Sequence, residues 1–189
     1  MIIKKNILGG ILSKFWWKLR YIKSPVEYAK HLGVEIGEGC KLVDSPNWGS
    51  EPYLITIKRN SYISYGVSFV TNDGGRWVLD HLYPEESPFY KFARITIGEN
   101  VFIGCRVIIM PGVNIGNNVV VGAGSLVTKD IPEGEVWAGR PAKFLMSIGD
   151  YKSKMKGCEL GVVFSDYWKN KRKELLRLLP QEEVGGNTF

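Results

Sequence analysis

A six-residue repeat of β-branched side chains constrains the fold of this 189-residue chain more than any other feature. Between residues 95 and 133, Ile or Val occupies every sixth position. A second series with the same spacing begins four residues later in the sequence. Six such residues in succession have a chance probability on the order of 10⁻⁵ per starting point. A period of six matches neither an α-helix nor simple alternation along one strand, and it predicts short strands joined by tight corners in a parallel β-helix. The first series is Ile97, Ile103, Ile109, Ile115, Val121 and Val127, and the second is Val101, Val107, Val113, Val119, Ser125 and Ile131.

The same spacing occurs upstream, but it is out of phase with the later repeat. Ile57, Ile63 and Phe69 are six residues apart, and VEIGEG at 34–39 has the form of a first, capping repeat. The interval from Phe69 to Ile97 is not a multiple of six. The sequence therefore predicts an inserted loop between the two parts of the repeat. Its residues are 73–92.

Gly or Asn residues recur close to the predicted corners. Gly follows the first-series residue in four repeats. We interpret these positions as places where the chain needs backbone freedom that other residues lack. The four glycines are Gly98, Gly104, Gly116 and Gly122.

The flanking segments predict helices, so we divide the chain into residues 1–33, a β-helix at 34–145, and a C-terminal helix and tail at 146–189. Ser24, Pro25 and Gly33 are typical start and stop signals for a short helix over 24–33. The segment before it predicts a basic amphipathic helix, which would either pack on the β-helix or lie on an anionic membrane surface. Leucines on one face predict a further helix over 165–180.

Composition excludes several classes of protein. The net charge of +6 is compatible with anionic ligands but selects none of them. The three cysteines form no C-x-x-C pair, and the two histidines are too few for a histidine-ligated zinc enzyme, so we expect no metal. The sequence has neither an apolar run long enough to cross a bilayer nor a signal-peptide cleavage site. With no nucleic-acid-binding motif either, we expect a cytoplasmic protein that does not bind nucleic acid.

Residues 24–150 resemble the hexapeptide-repeat acyltransferases, on the strength of the IGxxxxIGxxxxIxPG run, the GAGSLVTKDIP segment and the AGRPAK terminus. The SP-x-EYA helix and the T-x-DG-G-x-W entrance to the loop are most similar to the O-acetyltransferases of polysaccharide biosynthesis. The resemblance implies a homotrimer of left-handed β-helices with active sites between subunits. It also implies acetyl-CoA as co-substrate, a sugar or polysaccharide acceptor, and a His that acts as general base on the acceptor hydroxyl.

The resemblance also indicates where acetyl-CoA binds. Closely spaced small residues would let the pantetheine arm approach the backbone, and nearby cations would meet the phosphates. Corner geometry alone is the alternative for the glycines, and ordinary surface charge for the lysines. The candidates are Gly104, Cys105, Gly122, Ala123, Gly124, Lys129, Arg140, Pro141 and Lys143.

The catalytic position departs from the pattern. Enzymes that this chain resembles have T-H-D-G at the loop entrance. Here the first three positions are Thr71, Asn72 and Asp73, so Asn72 stands where those enzymes have His. An amide can hold a sugar by hydrogen bonds but cannot act as a general base. Three explanations remain open: an engineered His→Asn change that stops turnover, His81 as the base with Asp73 or Asp80 orienting it, or a chain that only binds.

The sequence thus predicts an acetyl-CoA-dependent O-acetyltransferase that acts on a sugar hydroxyl. Thr71 is expected to contact the acceptor. Trp77 and Tyr83 would either stack on its ring or only pack within the loop. An N-acetyltransferase acting on an amino sugar nucleotide is the alternative, because an amine with a depressed pKa needs less help from a base. The other alternative is an inactive homologue that binds acetyl-CoA or a glycan.

Overall fold

A computed structural model describes residues 24–156 and 167–178, and these ranges are mainly β. The chain divides into two units, residues 1–151 and 152–189. The first contains every strand given below, and the described part of the second includes a helix over Tyr167–Leu178. The basic helix predicted before residue 24 lies outside the described residues, as do both ends of the predicted 165–180 helix.

Short strands alternate with corners along most of the first unit. A helix, α1 (Pro25–His31), precedes them, and the Ser24 hydroxyl accepts a hydrogen bond from the Glu27 N–H at its start. Short 3₁₀ segments lie at Pro52–Leu54 and Pro84–Glu86. The other helices are α2 (Arg76–Leu82), α3 (Ile148–Lys156) and α4 (Tyr167–Leu178). The strands are β1 (Glu35–Ile36), β2 (Lys41–Leu42), β3 (Ile55–Ile57), β4 (Tyr62–Ile63), β5 (Ser68–Phe69), β6 (Ile95–Ile97), β7 (Phe102–Ile103), β8 (Ile108–Ile109), β9 (Asn114–Ile115), β10 (Val120–Val121), β11 (Leu126–Val127), β12 (Glu135–Gly139) and β13 (Ala142–Ser147).

The strands form three sheets that share one coil. The sheet orders are β1-β3-β6-β9, β2-β4-β7-β10-β12-β13 and β5-β8-β11, and all pairs are parallel except β12 with β13. Ile103 pairs with Val121, the residue three repeats later, so each regular turn of the coil consists of three six-residue units. The β12–β13 hairpin closes this end of the coil, and β13 continues two residues past the predicted boundary at 145.

The two predicted series of β-branched residues form the core. Every residue of both series is at most 2% exposed, which confirms the repeat. Ser125 is the one polar residue in either series. Its hydroxyl donates to the Gly122 carbonyl at 2.6 Å and accepts from the Gly139 N–H at 3.1 Å, so its polar group is satisfied inside the coil.

Each corner that contains one of the four recurring glycines has one position where successive turns approach closely and another where φ is left-handed. A Cβ on Gly98 would lie 2.5 Å from the Gly116 carbonyl oxygen in the next turn, and one on Gly104 would lie 2.6 Å from the Ala123 nitrogen. Neither has a φ in the left-handed region. Backbone freedom is therefore the wrong explanation for these two, because close approach of successive turns excludes a side chain there. Left-handed φ values occur two residues further along each corner, at Asn100 (55°), Arg106 (57°), Asn118 (57°) and Gly124 (70°).

Extra residues leave the coil at one corner, after the sheet that contains β5. Three repeats from Ile57 would end at residue 75, but the partner of Ile57 in the next turn is Ile97. The first turn is also longer than a regular one, since three repeats from Ile36 would end at residue 54 and its partner is Ile57. The additional part of the first turn lies between Trp48 and β3. The segment predicted as an inserted loop contains the seven-residue helix α2.

Gly98→Ala tests the close approach between turns. We expect it to cost about 1–3 kcal/mol of unfolding free energy, because the new methyl group meets rigid backbone. In a chain of this size each kcal/mol lowers Tm by roughly 2–4 °C. The measurement is thermal unfolding followed by circular dichroism. Gly149→Ala is the matched control: its Cβ would meet only the Ser147 hydroxyl at 3.6 Å, so an equal loss of Tm in both variants would contradict this explanation.

Candidate active site

A cavity opens where the long insertion and the longer first turn meet. Its volume is about 320 Å³. It lies at the corner between the β5 sheet and the β6 sheet, so the regular coil supplies a rigid base for it. The lining residues are Glu51, Asn72, Asp73, Gly74, Arg76, Trp77, Lys91 and Phe92.

Asn72 is held firmly at the wall of this cavity. Its Nδ2 donates to the Ser50 hydroxyl and to Glu51 Oε2, each at 3.1 Å. Its backbone bridges to Phe92, so the two ends of the insertion are joined beside it. An ionised carboxylate only accepts hydrogen bonds, so the amide atom that faces Glu51 is the nitrogen. Both amide hydrogens are thereby used. Oδ1 is the polar atom of the amide that remains to accept another hydrogen bond.

Thr71, which was expected to contact the acceptor, is not among the residues that line the cavity. It is 2% exposed, because its side chain turns towards the coil. Its hydroxyl donates to Glu51 Oε2 at 2.7 Å. Hydrogen bonds from Thr71, then from Ser50 and to a smaller extent from Asn72, lower the pKa of Glu51 below its ordinary value, with burial opposing them. Glu51 is therefore ionised at neutral pH.

The charges around the cavity are mostly paired. Asp73 lies 3.7 Å from the Lys91 ammonium group, and Arg76 lies 2.9 Å from Asp80. Among the described residues, Glu51 forms no ion pair and is held by neutral donors. The cavity therefore presents one carboxylate that forms no ion pair with the described residues.

His81 lies on α2 but does not line the cavity. Its Nδ1 is 2.7 Å from the Trp77 carbonyl oxygen, and a tautomer that donates this hydrogen bond leaves Nε2 as the basic nitrogen. The Asp80 carboxylate accepts from the Phe89 N–H at 3.0 Å, and Asp73 accepts from a backbone N–H within its own turn. The expected His81–carboxylate pair is therefore not formed in the part of the chain that the structure describes.

The two aromatic candidates differ in position. Trp77 lines the cavity and is 72% exposed, and the His81 ring lies beside it with its centroid at 4.8 Å. Tyr83 follows the end of α2 and is not among the lining residues. Phe92, which sequence reasoning did not single out, lines the cavity and is 50% exposed.

Most of the cofactor candidates gather at a different corner, which follows the sheet of β7 and β10. Gly104 packs under Ala123, the Gly124 N–H donates to the Cys105 carbonyl at 2.8 Å, and Arg140 Nε donates to the Gly124 carbonyl at 2.5 Å. Gly122 lies under Ala138, where a Cβ would approach within 2.8 Å. The packing of successive turns therefore explains why residues 104 and 122 are glycine, without a contact to a cofactor.

Two further cofactor candidates lie close to that group, and a third lies apart from it. Lys143 is exposed on β13 and pairs with Ala138, so it lies beside the same corner. Pro141 forms the turn between β12 and β13 and follows a cis peptide bond. Lys129 is exposed at the corner after β11, which belongs to the third sheet.

Sequence reasoning missed the residues that surround Asn72. Ser50 and Glu51 belong to the longer part of the first turn, and Arg76, Lys91 and Phe92 to the insertion. One signal for additional residues in the first turn was present in the sequence: the interval from Ile36 to Ile57 is not a multiple of six.

Two kinds of feature are absent from residues 24–156 and 167–178. These ranges contain no group of three or more His, Cys, Asp or Glu side chains arranged to hold a metal ion. None of their helices is both long and apolar enough to cross a membrane.

The fold and the repeat define a transferase of the hexapeptide type. The model for bacterial transferase hexapeptide repeats matches residues 94–129. Protein CapG of Staphylococcus aureus is 47% identical over 146 residues, which is 76% of this chain and 83% of CapG. The galactoside O-acetyltransferase of Escherichia coli K12 is 42% identical over 136 residues, and the match spans 69% of this chain and 62% of that enzyme. A maltose O-acetyltransferase from Clostridium difficile 630 superposes with a TM-score of 0.50 at 26% identity, over 64% of this chain and 73% of that one.

The chain belongs to the hexapeptide-repeat acyltransferase family. This membership implies that its parallel coil is the left-handed β-helix expected from the sequence.

The pKa of Glu51 makes stability depend on pH. Because folding lowers this pKa below its ordinary 4.5, the ionised carboxylate stabilises the fold above about pH 4.5, and the contribution is lost as pH falls through the lower folded value. We expect the stability advantage of the parent over Glu51→Gln, measured by urea unfolding, to be larger at pH 7 than at pH 3. Thr71→Val should weaken this dependence. An advantage that does not change with pH would contradict the assignment.

Proposed function

We propose that this chain transfers an acetyl group from acetyl-CoA to a hydroxyl of a sugar, in the cytoplasmic biosynthesis of a surface polysaccharide. The observation that carries the proposal is the placement of Asn72: the position at which similar enzymes have their His lines a cavity and has its amide oxygen available there. Family membership and the 42% identity to a galactoside O-acetyltransferase support acetyl transfer. The polysaccharide setting rests on the SP-x-EYA and T-x-DG-G-x-W motifs.

The cavity suits a sugar. Its volume of about 320 Å³ is at the lower end for small-molecule sites, which run from about 300 Å³. The rings of Trp77 and Phe92 offer apolar faces for a sugar ring, and the neighbouring polar side chains offer hydrogen bonds to its hydroxyls. The charged lining residues are two acids, Glu51 and Asp73, and two bases, Arg76 and Lys91, so their formal charges cancel, which suits a neutral sugar.

The proposed reaction is direct acyl transfer. The acceptor oxygen attacks the thioester carbonyl, a C–O bond forms, the C–S bond breaks, and the hydroxyl proton ends on the departing thiolate of CoA. Asn72 Oδ1 accepts a hydrogen bond from the hydroxyl and orients it, but the amide cannot take the proton. Backbone groups near Gly104 and Gly124 would receive the pantetheine arm, with Arg140 and Lys143 near the phosphates.

A homotrimer would complete the site. The cavity and most of the cofactor candidates lie at different corners of one coil, since they follow strands of different sheets. Contact between the cavity corner of one copy and the cofactor corner of the next would bring them together. The insertion also leaves the apolar side chains of Val78, Leu82 and Tyr90 more than half exposed. Light scattering should give a mass of three times 21.3 kDa, and a stable monomer at micromolar concentration would contradict the proposal.

The general-base position is tested by Asn72→His. If this is the base's position, we expect acetyl transfer to a sugar hydroxyl to rise by about 10²–10⁴-fold, the usual contribution of a general base. The measurement is release of CoA thiol across a panel of hydroxyl and amino sugars. His81→Ala is the companion variant. If Asn72→His has no effect and His81→Ala abolishes transfer, then His81 is the base and the assignment to position 72 is wrong.

The Glu51 carboxylate, which forms no ion pair with the described residues, favours one second candidate, N-acetylation of an amino sugar. An ammonium group would be drawn to Glu51, and after losing a proton the amine attacks without further help from a base. Acetylation of amino sugars alone by the parent chain would support this candidate over the first. Retention on acetyl-CoA resin without any transfer, in the parent and in Asn72→His, would indicate a chain that only binds.

A further inference from the structure

We infer that Glu51 is a positioning residue of this site: its carboxylate fixes the side chain at position 72 so that one polar atom of that side chain faces the acceptor. The inference rests on the proposed function for the identity of the acceptor, but the geometry of the carboxylate does not depend on it.

Glu51 reaches the cavity because the first turn of the coil is longer than a regular one. The additional residues of that turn leave the coil at the corner where the insertion starts, so the backbone at Glu51 runs beside the loop entrance. Its Oε2 then lies within hydrogen-bond distance of both Thr71 and Asn72. A turn of regular length would have no residue available for this contact.

The carboxylate is itself fixed from the coil side. The Thr71 hydroxyl that donates to it belongs to a residue that is 2% exposed, and Thr71 is further held by its carbonyl, which accepts from the Ala93 N–H at 2.9 Å. Thr71 therefore has little freedom to move, and neither has Glu51 Oε2. The amide of Asn72 is the last member of this chain of contacts and the one that lines the cavity.

Positioning explains Glu51 better than proton transfer does. Three hydrogen bonds to the ionised carboxylate lower its pKa, which makes it a weaker base than an ordinary Glu. The same bonds favour an anion that accepts a hydrogen bond permanently. Glu51 thus suits the part of a carboxylate that orients its neighbour.

The same carboxylate would serve an imidazole. A His at position 72 could donate one ring N–H to Glu51 and leave its other nitrogen facing the acceptor, as Asn72 does with Nδ2 and Oδ1. Asp73, Arg76 and Lys91 also line the cavity and are the other charges near that ring. Among the charged side chains that line the cavity, Glu51 is the one that hydrogen-bonds the side chain at position 72 in the described structure.

The test uses NMR of histidine-labelled full-length protein, because the chain has only two native histidines and Asn72→His adds a third set of ring signals. We expect the new imidazole to titrate above the ordinary value of about 6.5. Adding Glu51→Gln should lower its pKa by about one unit or more. Glu35→Gln is the matched control, since Glu35 likewise accepts from a threonine hydroxyl, Thr56, at 2.9 Å but lies away from the cavity.

An imidazole at position 72 that titrates identically with and without Glu51→Gln would overturn the inference. Should Glu51→Gln not fold, Glu51→Asp withdraws the carboxylate by one methylene and should shift the same titration in the same direction. In the Asn72→His background, Glu51→Gln should also lower kcat about tenfold or more without changing KM for acetyl-CoA. If no variant transfers acetyl groups while the titration shift is observed, the proposed function fails and the positioning role stands.

Discussion

Everything in this structure depends on the backbone contact between successive turns of the coil. Each turn hydrogen-bonds to the next, as in the 2.9 Å bond from the Gly104 N–H to the Val121 carbonyl, and the inward Ile and Val side chains stack in the same register. Parallel strands kept in register from one turn to the next cannot absorb an additional residue within a strand. Additional residues must therefore leave at a corner, and both places where this happens coincide at the cavity.

The coil was predictable because its physical cause repeats in the sequence. A buried position at every sixth residue selects β-branched side chains, and a short strand in the coil buries one residue of this kind. The seven residues of α2 show no such repeat, since none of their side chains is buried. A segment whose apolar residues face outward leaves no periodic signal, and this is why the insertion was predicted only as a loop.

The partners of Asn72 could not be predicted from the spacing alone. Glu51 and Asn72 are far apart in the sequence. Their contact depends on where the first turn has its additional residues, and the stacking of Trp48 on Phe69 shows that these residues come after Trp48. These two rings stack at 5.1 Å inside the coil, and this packing aligns the first turn with the second. The distinction between the glycines that allow close approach and the residues with left-handed φ likewise needs the neighbouring turn.

The contact between Glu51 and position 72 explains how Asn can occupy a position where His was expected. Asn and His share what the carboxylate requires, an N–H donor about two bonds beyond Cβ, and both have a second polar atom to present to a ligand. Either residue therefore satisfies Glu51, and the hydrogen bonds around Thr71 are compatible with both. The difference that matters for acyl transfer is basicity, which the imidazole has and the amide lacks. Exchange at position 72 would thus alter basicity while leaving the contact with Glu51 intact.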